Sequence, residues 1–145
     1  MLGILKQDNF ELIASEEDAD ILIVNTCGFI GDAKEESIET ILRLAQYKET
    51  GRCRLLIVTG CLTQRYKEEL ARELPEVDFF LGTGEYPKIA DIIMNGSTQR
   101  VIAGIPQYVH NYDTPRILAT PRYSAYVKIA EGCSNHCSYC TIPFI

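Results

Sequence analysis

Apolar runs that alternate with amphipathic segments constrain the fold of this chain more than any other feature. Three short runs have the composition of buried strands, and each is followed by a segment whose apolar residues recur at helical spacing. The predicted strands are Ile21–Asn25, Arg54–Thr59 and Val77–Leu81, and the predicted helices are Asp32–Tyr47, Leu62–Leu74 and Pro87–Met94. Strand and helix units that alternate in this way require right-handed crossovers, which build a parallel sheet covered on both faces. The sequence therefore predicts an α/β fold.

The segment before the first of these strands predicts an incomplete start to the fold. Residues 1–8 have the apolar spacing of a helix already under way, without an N-terminal cap, and Phe10–Ala14 has the pattern of a short strand. In a flavodoxin-like strand order, 2-1-3-4-5, the first strand would then lie upstream of Met1. We expect its loss to leave one edge of Ile21–Asn25 unpaired and some apolar helix faces uncovered.

Glycine and proline divide the rest of the chain. They interrupt every short apolar run between Asn95 and Arg122, at Gly96, Gly104, Pro106, Pro115 and Pro121. This pattern predicts an extended linker. Tyr123–Ala130 then has the pattern of a new strand, which leads through Glu131 into a loop that contains three cysteines. The predicted organisation is a first domain over residues 1–95, a linker over 96–122 and the start of a second domain over 123–145.

Composition excludes several classes of protein. Hydrophobic residues make up 46% of the chain and charged residues 23%, which is typical of a soluble globular protein. No apolar run is long enough to span a bilayer, and the first ten residues do not resemble a signal peptide, so we expect a cytoplasmic protein without a membrane partner. In a reducing compartment, six cysteines favour metal ligands, catalytic groups or buried thiols over disulfides. A net charge of −6 disfavours direct binding to a nucleic-acid backbone.

Cys133, Cys137 and Cys140 form a C-x3-C-x2-C run near the end of the chain. Three thiolates in one short loop are a ligand set, and cysteine thiolates are what hold iron–sulfur clusters. A cubane cluster with only three cysteine ligands keeps one iron open to bind another molecule, which indicates catalysis. The alternative is a zinc site with His136 as a fourth ligand. Zinc sites usually combine two separated ligand pairs, and no second pair follows here, so the spacing favours a cluster.

Cys27 and Cys61 each follow a predicted buried strand. A single cysteine at a strand end is more often an inert, buried thiol than a ligand. These two share a position, however, because both lie at the carboxyl edge of the predicted sheet, where open α/β proteins bind ligands. Neighbouring strands are about 4.8 Å apart, so two thiolates at adjacent strand ends can reach one cluster. Cys53 begins the strand that Cys61 ends, roughly 25 Å away at about 3.3 Å per residue, so we predict a structural or partly exposed thiol there.

Three separated motifs carry a resemblance to a known family. They are Asn25-Thr-Cys-Gly-Phe-Ile30, Gly60-Cys-Leu-Thr-Gln64 and the segment from Tyr126 to Cys140. In this order they resemble the methylthiotransferases of the radical S-adenosylmethionine (radical SAM) superfamily, over essentially the whole chain. The sequence after Cys27 is most similar to the branch that methylthiolates an aspartate of a small-subunit ribosomal protein. The tRNA-modifying branch of the same family is the nearest alternative.

The resemblance implies two [4Fe–4S] clusters. Cys133, Cys137 and Cys140 would hold one cluster, whose open iron binds SAM, with Tyr139 beside the adenine. Cys27 and Cys61 would supply two of the three ligands of an auxiliary cluster that carries the sulfur. An external electron donor and a sulfur source are then required, and the substrate would be a ribosomal protein.

The chain also departs from the family pattern. A third auxiliary-cluster cysteine, most of the radical SAM barrel and a small C-terminal domain of nucleic-acid-binding type are missing from it. We therefore expect residues 1–145 alone to be inactive and to contact nucleic acid only indirectly. A module that binds a metal or a cluster without catalysis is the alternative of another class. A nucleotide-binding flavodoxin-like domain is less favoured, because no glycine-rich phosphate loop follows any strand.

Overall fold

Four parallel strands form the sheet in the computed structural model, which describes residues 1–130 and 132–145. Their spatial order is the same as their order in the chain, so every neighbouring pair is joined by a crossover. The strands are β1 (Ile21–Thr26), β2 (Leu55–Gly60), β3 (Phe79–Leu81) and β4 (Val101–Ile102). The predicted α/β class and the parallel sheet are confirmed, and the arrangement is consistent with a flavodoxin-like fold.

Five α-helices connect or flank these strands in the described part of the chain. They are α1 (Leu2–Gln7), α2 (Gly31–Ala45), α3 (Tyr47–Thr50), α4 (Cys61–Glu73) and α5 (Ile89–Asn95). Short 3₁₀ turns cover Tyr86–Lys88 and Ile142–Phe144. No helix of the described residues is long and apolar enough to cross a membrane.

Alternating residues of β2 contribute side chains to two hydrophobic clusters on opposite faces of the sheet. Leu56 and Val58 pack with α2 and α4 in the larger cluster, whereas Ile57 packs with α1 and α5 in the smaller one. Successive side chains of a strand point to opposite faces, so a fully buried strand must be apolar on both. The larger cluster is the better covered, because several apolar residues around the smaller one remain partly exposed. The sheet is thus tightly packed on the side of α2 and α4.

Residues 10–14 do not form the predicted strand. Instead the segment forms one wall of a groove of about 690 Å³, whose other wall includes residues 21–23 of β1. The segment and β1 line the same groove, but none of the described ladders joins them, so the hydrogen bonds that define a strand are absent there. An apolar pattern predicts which side chains are buried, but it does not show whether a neighbouring strand is present to pair with the segment.

The segment predicted as a linker begins with ordered structure. Arg100 donates hydrogen bonds to the carbonyls of Ala71, Leu74 and Val77, at 2.6–2.9 Å, and its guanidinium lies over the Phe80 ring. These carbonyls belong to the end of α4 and the turn after it, where backbone acceptors lack partners within the helix. The anchored arginine leads directly into β4, which pairs with β3.

Tyr123–Ala130 is not a strand either. The segment has an irregular backbone in which Tyr126 is 79% exposed and Ile129 is 94% exposed. A strand requires a neighbour to accept its hydrogen bonds, and no strand pairs with it among the described residues. The predicted start of a second domain therefore has no sheet here, and Glu131, which was expected to lead into the cysteine loop, lies outside the described residues.

Candidate functional site

The register of the sheet brings Cys27 and Cys61 to adjacent strand ends. Thr26 is the partner of Gly60 in the parallel ladder of β1 and β2, and the two cysteines are the next residues on their strands. The predicted adjacency of these strands is confirmed. Both thiols are free, with Cys27 exposed and Cys61 partly exposed. The carboxyl edge of the sheet therefore presents two accessible soft donors side by side.

Two glycines allow the turns that carry these cysteines to touch. Gly60 has a φ of 105°, and a Cβ there would lie 2.4 Å from the carbonyl oxygen of Thr26. A Cβ on Gly28 would lie 2.8 Å from the carbonyl oxygen of Cys61. Contacts of this length between a Cβ and backbone do not occur without displacement of the chain. The absence of a side chain at both positions thus allows the two turns to approach this closely.

Hydrogen bonds fix the turn after β1. The backbone N–H of Cys27 donates to Ser37 Oγ at 3.3 Å, and that hydroxyl donates to the carbonyl of Ala33 at 2.7 Å within α2. The Thr26 hydroxyl donates to the carbonyl of Thr59 on β2 at 2.7 Å. Cys61 is held differently, since it is the first residue of α4. One cysteine is thus attached to each of the two helices that cover the larger core.

Burial, more than any other effect, raises the pKa of the Cys61 thiol, and the neighbouring Cys27 raises it further. The Lys128 ammonium acts in the opposite direction and lowers the pKa of Cys61. In the metal-free chain the raised pKa keeps Cys61 a thiol at neutral pH, so a metal that bound there would displace a proton.

A tyrosine with two cations lies beside the cysteine pair. Lys34 Nζ is 3.3 Å from the hydroxyl of Tyr66 and 5.7 Å from the centre of its ring, and the guanidinium of Arg65 is 5.1 Å from the same centre. Arg65 also donates a hydrogen bond of 3.1 Å to the carbonyl of Gly28, the residue after Cys27. We call Lys34, Arg65 and Tyr66 the cationic cluster. No sequence motif predicts this cluster, although the spacing of four residues between Cys61 and Arg65 on one helix is a signal for part of it.

Cys53 lies in the larger core and takes no part in this site. It is 4% exposed, and its thiol donates to the carbonyl of Leu55 at 3.5 Å. Burial is the largest cause of the raised pKa of Cys53. The expectation of a structural thiol agrees with this position at the start of β2.

Cys133, Cys137 and Cys140 lie in a loop outside the sheet. Cys133 and Cys137 are exposed, Cys140 is partly exposed, and one turn hydrogen bond of 3.0 Å joins the N–H of Cys140 to the carbonyl of Cys137. Tyr139 is 88% exposed. Within residues 1–130 and 132–145, no three His, Cys, Asp or Glu side chains converge closely enough to hold a metal ion. The loop thus contains the three predicted cysteine ligands, but it does not bring them close enough together to hold one metal ion.

Comparison with known proteins agrees with the motifs. The model of the family described as Uncharacterized protein family UPF0004 matches residues 1–82, which include β1, β2 and both cysteines of the pair. The chain belongs to this family. The UPF0004 match ends at the residue after β3, so it does not include Cys133, Cys137 and Cys140.

Curated relatives extend the similarity over the whole chain. A protein of Geobacter sulfurreducens is 60% identical over 99% of this chain, and one of Syntrophotalea carbinolica is 58% identical over 99%. A protein of Pelotomaculum thermopropionicum is 54% identical over 100% of the chain. Each of the three is named ribosomal protein uS12 methylthiotransferase RimO, so the predicted kinship with methylthiotransferases is confirmed. The chain spans 32–33% of the length of these relatives.

Proposed function

We propose that the chain is part of a radical SAM methylthiotransferase that adds sulfur and a methyl group to an unactivated carbon of ribosomal protein uS12, the β-carbon of an aspartate. The names of relatives that are 51–60% identical support the reaction and the substrate. The observation that carries the proposal is the adjacency of Cys27 and Cys61, because two free thiols at the edge of the sheet where α/β proteins bind ligands support a role as cluster ligands.

Cys27 and Cys61 fit an auxiliary [4Fe–4S] cluster as two of its ligands. Both are free thiols, and cysteine thiolate is the usual ligand of such clusters. The close approach at Gly28 fixes the spacing of the two turns before any metal is present. When bound, the cluster would supply or carry the sulfur to be transferred. The role of the protein here is to hold the two ligands and to leave the Cys27 side open to the solvent.

Cys133, Cys137 and Cys140 would hold the second [4Fe–4S] cluster. Their chemistry fits, since three thiolates leave one iron open to SAM, but their described arrangement does not yet form a ligand set. Tyr139, directly before the last cysteine, would pack against SAM. Cofactors do the difficult radical chemistry in such enzymes, and the protein binds and orients them. An external electron donor and a sulfur source complete the proposed requirements.

Anaerobic reconstitution followed by metal analysis tests the cluster assignment. We expect iron and sulfide to bind, and we expect Cys133→Ala in the loop and Cys61→Ala in the pair each to remove a different share of the iron. Cys53→Ala is the matched control, because Cys53 lies apart from both groups, and it should leave the iron content unchanged. Tightly bound zinc without iron would instead support a non-catalytic metal-binding module.

An activity assay tests the substrate. The longer protein that contains this chain should add mass to uS12 but not to tRNA when SAM, a reductant and sulfide are supplied. Modification of tRNA alone would favour the tRNA-modifying branch. Residues 1–145 alone should modify neither substrate, because the chain spans only about a third of the length of its relatives.

A further inference from the structure

The cationic cluster has no negative partner among the described residues. The ion pairs of that part of the chain involve Arg43, Lys48, Arg52, Arg54 and Lys88, and neither Lys34 nor Arg65 is among them. This is unexpected in a chain with 20 acidic and 14 basic residues. Both side chains are also partly buried, so their charges are less screened than those of fully exposed residues. Two cations that form no ion pair with a described residue thus lie against one aromatic ring.

The cluster is directed at the cysteine pair by the fold. Lys34 and Ser37 are three residues apart on α2, and Ser37 accepts the hydrogen bond from the N–H of Cys27. Cys61 and Arg65 are four residues apart on α4, and Arg65 binds the carbonyl of Gly28. The two cations therefore approach the pair from two different helices.

The start of α2 adds less to this field than its helix dipole alone would. α2 is a continuous helix of 15 residues that begins at the carboxyl edge of the sheet, with Asp32 in its first turn, whereas α4 is interrupted at Lys67, which has non-helical φ and ψ angles. The N-terminus of a helix carries a partial positive charge. The negative charge of Asp32 opposes this partial charge, so the attraction at the cysteine pair comes mainly from Lys34 and Arg65. A negatively charged molecule gains free energy from these two cations, whereas a neutral one gains almost none.

We propose that the cationic cluster attracts a small anionic sulfur compound, such as hydrosulfide or a persulfide, to Cys27 and Cys61. This inference rests on the proposed function, which requires sulfur to reach that edge of the sheet. The anionic form of a thiol or sulfide is also its nucleophilic and metal-binding form, so selection by charge selects the reactive species. Lys34 and Arg65 are then positioning residues, which act on the charge of the arriving molecule.

Thiol reactivity in the metal-free chain tests the proposal. The starting variant has Cys133, Cys137 and Cys140 changed to Ser, so Cys27 and Cys61 are its accessible thiols, while Cys53 remains buried. Its rate of reaction is measured with dithiobis-nitrobenzoate, a dianionic aromatic disulfide, and with dithiodipyridine, a neutral one. We expect Arg65→Gln and Lys34→Gln each to lower the ratio of the anionic to the neutral rate by about threefold at low salt.

Three controls make the result specific. Arg54→Gln removes the same charge from the opposite end of β2, roughly 20 Å away, and should leave the ratio unchanged. Arg65→Lys keeps the charge and should restore most of the ratio, which separates the effect of charge from a loss of folding. High salt should remove the difference between the variants, because it shortens the range of the field.

A ratio that is the same in all variants would overturn the proposal, and so would an equal fall in Arg54→Gln. The assay contains no iron, so the result does not depend on cluster assembly. A failure of iron to bind would count against the proposed function, whereas an unchanged rate ratio would count only against the cationic cluster.

Discussion

The two groups of cysteines in this chain are positioned in different ways. Cys27 and Cys61 are held by the register of two central strands and by the close contact of their turns. Cys133, Cys137 and Cys140 lie in an exposed loop with a single turn hydrogen bond between them. The first pair is therefore organised by the fold before any ligand arrives, and the second group depends on something outside the described structure to bring its thiolates together.

This difference has a physical consequence for metal binding. Where a site is preformed, the free energy of ligand binding is not used to order the chain. Where the ligands are dispersed, metal binding and local folding are one event, and binding must offset the loss of chain entropy. We therefore expect substitutions around Cys27 and Cys61 to affect the stability of the metal-free chain, and equivalent substitutions around Cys133 to have little effect on it.

Substitution of two glycines with positive φ should give the largest difference in stability between the two groups of cysteines. Gly60→Ala should destabilise the chain by about 3 kcal/mol, because a strained backbone conformation is combined with a Cβ placed 2.4 Å from a backbone oxygen. Gly132→Ala also has a positive φ, of 64°, but a Cβ there meets nothing within 4 Å. It should cost less than about 1 kcal/mol, since the loop can relax. Urea unfolding of both variants measures the difference, and equal losses would show that the cysteine loop is as firmly packed as the sheet.

Substitution of two arginines should give the next largest difference in the free energy of unfolding. Arg100→Ala removes four hydrogen bonds to the carbonyls of Ala71, Leu74 and Val77, and should cost about 2–3 kcal/mol, since charged hydrogen bonds to partly buried acceptors are the stronger kind. Arg116 is the matched control, because it contacts the carbonyl of Tyr126 at an exposed position. Arg116→Ala should change the free energy of unfolding by less than about 0.5 kcal/mol. A large effect of Arg116→Ala would show that the exposed segment packs on the sheet in solution.

Much of the sheet follows from the sequence because local patterns are sufficient for it. Buried runs define β1, β2 and β3 within a few residues, and a parallel arrangement follows from the helices between them. The pattern failed at residues 10–14 and Tyr123–Ala130, where apolar alternation was present but a pairing strand was not. The pattern also does not indicate β4, because a strand of two residues between Gly96 and Pro106 is too short to show a periodicity.

The candidate site also has one part that the sequence predicts and one part that it does not. The adjacency of Cys27 and Cys61 could be predicted because each lies one residue beyond a strand, and strand order fixes the rest. The cationic cluster could not, since Lys34 and Tyr66 are 32 residues apart and meet only after α2 and α4 have packed on the sheet. The buried amide of Gln64 is a similar case. It donates to the carbonyl of Gly104 at 2.9 Å, a contact that no sequence motif indicates.

The smallest effect concerns the pH dependence of stability. Burial raises the pKa of Cys61 above its ordinary value of 9.0, with a further contribution from Cys27, so the folded chain retains the thiol proton at a pH where the unfolded chain loses it. The stabilising contribution of this thiol is therefore complete below the ordinary pKa and is lost as the pH rises through the higher, folded value.

We expect the free energy of unfolding to fall above about pH 9, and to fall less steeply in Cys61→Ala. Cys137→Ala, in the exposed loop, is the control and should follow the unmodified chain. Urea unfolding under reducing conditions between neutral and alkaline pH measures both slopes, and parallel curves for Cys61→Ala and the unmodified chain would show that the pair is not desolvated by the fold.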